Sequence, residues 1–143
     1  MRDFIKFFFK TIFSIIIFTS NSLSEIVNKV KVVGNERITL ETIIVFGDIK
    51  MGENYDLSFV NLLIKKLYET NFFSNIKVGI KNGEMSIIVL ENPIIQSVEL
   101  NGEKARKYKK KINELVSLKE KNAFVKNYLK SDINIIKEFY RSL

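Results

Sequence analysis

The stretch KLYETNFFSNIKV, residues 66–78, joins the end of a helix to the start of a strand within thirteen residues. Upstream of it Leu57, Val60, Ile64 and Leu67, with Leu63 and Tyr68 alongside, recur at helical spacing, and Asp56 stands where a cap belongs. Asn71 tolerates the left-handed conformation that a helix C-terminus demands, so the helix is expected to stop there. Phe72 and Phe73 are expected to plug the seam as the chain turns back onto a sheet. Downstream, Ile76, Val78 and Ile80 alternate with Lys77, Gly79 and Lys81, the pattern of a strand with one buried face. Asn82-Gly83 is a two-residue hairpin signal. The returning run MSIIVLEN (85–92) is apolar on both faces and reads as a central strand. That leaves the strand before it at the sheet's edge. Asn92-Pro93 closes the unit.

Working towards the N-terminus, Val30 and Val32 alternate with Lys29 and Lys31 and predict a first strand, turned by Gly34-Asn35. ITLETIIVFGD (38–48) predicts a short helix with Thr39 as its cap and Gly47 as its stop. The order is β-α-α-β-β from Val27 to Pro93, an α+β class in which two helices cover a three-stranded sheet.

The pattern starts again. VNKVKVVGNERI (27–38) is paralleled by IIQSVELNGEKA (94–105), and LLIKKLYETNFF (62–73) by NIIKEFYRSL (134–143). The second copy is expected to supply a strand and two helices. Its last helix carries the stripe Leu129, Ile133, Ile136 and Tyr140, and its own hairpin is missing, which reads as a truncated unit. The expected domains are residues 25–93 and 94–143.

The N-terminal segment orders a basic region, an apolar stretch from Thr11 to Phe18 and small polar residues, as a secretory signal does. Residues 1–24 are read as a signal peptide cut before Glu25. The competing reading is an uncleaved anchor, but Phe4 to Phe18 spans only fifteen residues and is broken by Lys10. A membrane span needs about 20 apolar residues.

Composition narrows the function. With no Cys and no His, disulfide scaffolds, Cys/His zinc sites and Ser-His or Cys-His catalysis are excluded. The net charge of +7 is uneven, because residues 25–93 hold eight basic and nine acidic side chains while 94–143 hold twelve and six. The run KARKYKKK (104–111) could track phosphates, but an exported chain has no nucleic acid to meet, and a solvated helix face is the plainer reading. Asp48, Glu53 and Asp56 lie close in sequence without the spacing of a metal loop. No catalytic, metal or cofactor-binding residues are expected, and the chain is not read as an enzyme.

VVGNERI, LYETNFFSNIKV, GEMSIIVLENPII and VELNGEKA, in that order and spacing, resemble the first and second POTRA domains of the BamA family, the central subunits of the bacterial outer-membrane protein assembly machine. The resemblance covers residues 26–143. It departs at Asn71, where the family usually has Gly. It implies a location at the periplasmic face of the outer membrane and a role in docking unfolded outer-membrane proteins and assembly lipoproteins. Membrane association would come through a C-terminal barrel that this chain lacks. A POTRA domain of another carrier, an FtsQ-like division protein or a two-partner secretion transporter, is the alternative. The candidate binding residues are those of the edge strand, Ile76, Lys77, Val78, Gly79 and Ile80, whose backbone could accept an extended client strand. Lys77 and Lys81 would guard that edge against self-pairing.

Overall fold

The computed structural model describes residues 24–143. The expected signal peptide falls almost wholly outside the described residues. Nine elements follow in order: β1 (Glu25–Val27), β2 (Lys29–Val33), α1 (Leu40–Gly47), β3 (Glu53–Tyr55), α2 (Leu57–Glu69), β4 (Phe73–Lys81), β5 (Glu84–Glu91), α3 (Arg106–Leu115) and α4 (Lys126–Arg141). None of these helices is long and apolar enough to cross a membrane.

The three-stranded sheet runs β2-β5-β4, with β5 parallel to β2 and antiparallel to β4. The strand apolar on both faces is therefore central and the one-sided strand lies at the edge. Burial supports only half of the reasoning behind that expectation. Met85, Ile87 and Val89 are buried, whereas Ile88 and Leu90 are 49% and 61% exposed. Among the described residues the sheet is covered on one face only, and β5 is central because both its edges are paired.

The helix caps are local chemistry. Thr39 accepts a bond from the Thr42 N–H at 3.2 Å, and Asp56 accepts one from the Phe59 N–H at 2.8 Å. The stop of α1 differs from expectation. Gly47 is the last helical residue, and Asp48, at φ 52°, takes the left-handed position. Gly47 is small for another reason, since a Cβ there would lie 2.4 Å from Leu63 Cδ1. The two helices cross at this point. Asn71 is left-handed as predicted, at φ 60°, and Asn82-Gly83 turns the hairpin at φ 54° and 76°.

The core gathers Val30, Phe73, Met85, Ile87 and Val89 from the sheet with Ile43, Leu63 and Leu67 from the helices. Each such side chain contributes about 1.5–3 kcal/mol when fully buried. Phe73 enters the core, while half-buried Phe72 meets Phe46 edge-on at 5.9 Å. Leu57 departs from its expected place in the stripe, because it is 75% exposed at the first turn of α2.

A second, two-stranded ribbon pairs β1 with β3 in antiparallel register, Glu25 opposite Tyr55 and Val27 opposite Glu53. The sequence reading has no counterpart for it.

Residues 94–143 form the two predicted helices but not the predicted strand. Ile94 makes a single antiparallel bridge to Ala123, and no strand follows it through residue 105. The physical reason is pairing. Within residues 25–93 β2 is held by β5 from the later hairpin, and residues 94–143 contain no hairpin to do the same. For the same reason Leu129 and Ile133 stay 43% and 44% exposed. Asp132, unremarked in the sequence, is buried in α4, and its two carboxylate oxygens accept the Ser117 and Leu118 N–H groups at 2.8 Å each.

Candidate functional site

The edge strand β4 carries the candidate site. On one side it pairs with β5 through Lys77 opposite Ile88, Val78 opposite Ile87 and Gly79 opposite Ser86. Among the described residues no strand pairs with its other side. Backbone polar groups of a strand point alternately to its two sides. The Ile76 N–H donates away from the ladder, to Tyr68 Oη at 3.2 Å. By alternation Val78 and Ile80 also present their N–H and C=O groups to the free side, while Lys77 and Gly79 bond to β5. The five predicted residues are thus brought together on one edge but do different jobs. Val78 and Ile80 offer backbone partners. Lys77 and Gly79 set the outer face, and Ile76 has its N–H occupied by a side chain.

A groove of about 340 Å³ runs along this edge, lined on the strand side by Val78, Gly79 and Ile80 and opposite by Tyr55, Leu57 and Val60. The start of α2 and the β1–β3 ribbon form its far wall. Leu57, Tyr55 and Tyr68 were not assigned to the site from sequence. No local pattern reports that a helix start lies beside a strand more than twenty residues later.

Two interlocked contacts hold β4 and β5 in place. The Glu91 carboxylate, at the end of β5, is nearly enclosed, and its Oε1 accepts the N–H groups of Glu36, Arg37 and Ile38 at 2.9 Å each. Arg37 Nε lies 3.0 Å from Oε2 as an ion pair, although it is not aligned as a hydrogen bond. Burial, the largest single influence, pushes the Glu91 carboxyl up; the three N–H bonds and the guanidinium together outweigh it, so the carboxyl titrates below its ordinary value. The second contact is Asn92, which is buried. Its backbone N–H donates to Phe72 O at 2.7 Å, and its amide donates to Asn71 O at 2.9 Å. The Glu-Asn-Pro ending of the unit is therefore a clamp on the start of β4 and on the loop after β2.

The acidic residues considered for a metal loop have separate partners. Asp56 caps α2, Asp48 pairs with Lys66 at 3.8 Å and Glu53 with Lys50 at 4.0 Å. The basic run lies on and just before α3 as a solvated face, with Tyr108 turned towards α4 and Ile112 buried. Tyr108 meets Phe139 edge-on at 5.7 Å.

No family model matches the chain. Two curated relatives do, and both are outer membrane protein assembly factors BamA. The protein from Neisseria meningitidis serogroup B (strain ATCC BAA-335 / MC58) is 30% identical over 78 residues, 54% of this chain and 10% of that protein. The one from Neorickettsia risticii (strain Illinois) is 22% identical over 113 residues, 79% of this chain and 15% of its own length. The chain thus spans a small part of the curated relatives it matches. Among solved structures, the N-terminal domain of Omp85 from Thermosynechococcus elongatus superposes with a TM-score of 0.58 at 16% identity, over 85% of this chain and 53% of that one. POTRA1-2 of the periplasmic domain of Omp85 from Anabaena gives 0.56 at 19% identity, over 85% and 81%. The chain is BamA-like in sequence and has the POTRA fold of the Omp85 proteins.

Proposed function

We propose that this chain is an exported, non-catalytic POTRA module that holds extended segments of unfolded outer-membrane β-barrel proteins along β4, as part of outer-membrane protein assembly. In this reading residues 1–24 direct export and are removed, residues 25–93 form the first POTRA unit, and 94–143 belong to a second. Accessory lipoproteins of the assembly machine are its other partners, at the periplasmic face of the outer membrane.

The observation that carries the reading is the edge of β4, unpaired among the described residues, beside an open groove. An edge strand takes up an extended chain through backbone bonds, with little regard for its sequence. The two N–H and two C=O groups of Val78 and Ile80 allow up to four bonds of about 1 kcal/mol net each, which corresponds to millimolar affinity at best. Such a grip is transient. It suits a client that must be passed on, and several such edges in series would raise the overall hold.

Val78→Pro is the test. Because the Val78 N–H points away from β5, proline removes a donor to the guest and no bond of the sheet. Titration with an unfolded β-barrel segment should show binding to the parent chain and binding about fivefold weaker or less to a folded Val78→Pro variant, the loss of one such bond. Undiminished binding by the variant contradicts the proposal.

A further inference from the structure

Among the described residues nothing requires Gly79 to be glycine. It is not among the positive-φ residues, and a Cβ built on it meets nothing within 4 Å. A glycine inside a strand weakens it, and such positions recur where another chain comes close. The outer face of the sheet shows what the missing side chain leaves. Strand register arranges that face in rows: Lys81, Glu84 and Lys29; then Gly79, Ser86 and Lys31; then Lys77, Ile88 and Val33. The middle row begins with two small residues. A depression of about 520 Å³ opens there, lined among others by Gly79, Lys81, Glu84 and Ser86. Half-exposed Ile88 stands in the next row, and Lys77 and Lys81 flank Gly79 along the strand.

From this arrangement we infer that the strand added to β4 carries an aromatic side chain opposite Gly79, laid into the depression beside Lys81, with Lys77 on the other flank of Gly79. The inference rests on the reading of β4 as a docking edge. An aromatic ring placed across from a strand glycine restores the packing that the glycine lacks. Ammonium groups on both sides favour the ring's electron-rich face. The guest residues on either side of the aromatic point the other way, into the groove at Val78, Ile80, Leu57 and Val60, and are apolar. The preferred guest is an alternating strand with an aromatic on its outer face.

The chain has no Trp, so a single Trp in a guest peptide reports binding by fluorescence. Three nine-residue peptides are compared: one with an outward central Trp, one with the Trp moved by one residue, and one with Ala in its place, measured by competition. The outward-Trp peptide should bind the parent chain roughly three- to tenfold more tightly than the Ala peptide. Gly79→Val should abolish that advantage, read as the ratio of Trp-peptide to Ala-peptide affinity within each variant, and Gly79→Ala should reduce it, with melting temperatures no lower than the parent's. Equal affinities of the Trp and Ala peptides overturn the aromatic inference and leave the edge reading standing. If no peptide binds the parent chain, both are overturned.

Discussion

The side-chain amide of Asn92 donates to the backbone oxygen of Asn71, 2.9 Å away, and so ties the end of β5 to the left-handed residue that ends α2. Asn92 is buried, so its loss leaves that carbonyl without its partner. Asn92→Ala is expected to destabilise the chain by about 1–3 kcal/mol in urea unfolding. Asn71→Gly should cost less than about 0.5 kcal/mol, because glycine adopts φ 60° freely and the bond from Asn92 goes to the backbone.

Glu91 makes stability depend on acid. Its carboxyl titrates below the ordinary 4.5 in the folded chain. A lowered folded pKa contributes stability above the unfolded value and loses it as pH falls through the folded one. Stability should therefore decline as pH drops below about 4.5. Glu91→Gln should destabilise the chain at neutral pH by about 1–3 kcal/mol and flatten that acid limb, as followed by thermal melts across pH.

Two glycines separate fold from function. At Gly34, φ is 87° and a Cβ would lie 2.1 Å from Val89 O, a backbone atom that cannot move without shifting the central strand. Gly34→Ala should cost at least about 2 kcal/mol. Gly79→Ala, in open space, should leave stability equal or raise it by up to about 1 kcal/mol. Side-by-side melting curves check both.

Asp132 organises the second helical pair from inside α4. Asp132→Ala leaves the Ser117 and Leu118 N–H groups without their acceptors. Amide exchange should speed up across residues 112–136 while the amides of β5 stay protected.

Much of the sheet was legible because its signals are local. The alternation of Ile76, Val78 and Ile80, the Asn82-Gly83 turn and the Asp56 cap each sit within a few residues of what they specify. The hidden parts are long-range. β1 and β3 are three residues each, too short for any periodicity, and pair across more than twenty residues. The strand expected after Ile94 had the right alternation and no ladder to join. The site was legible as an edge but not as a groove, because Leu57 looked like core in sequence and lies exposed beside Val78.

Backbone amide NMR of the isotope-labelled chain, titrated with an unlabelled unfolded β-barrel segment, tests the central claim most directly. Saturable shifts and slowed exchange at the amides of Val78 and Ile80, with α3 unmoved, are the predicted result. Shifts confined to α3 or α4, with the Val78 and Ile80 amides unchanged and still exchanging freely, would contradict it.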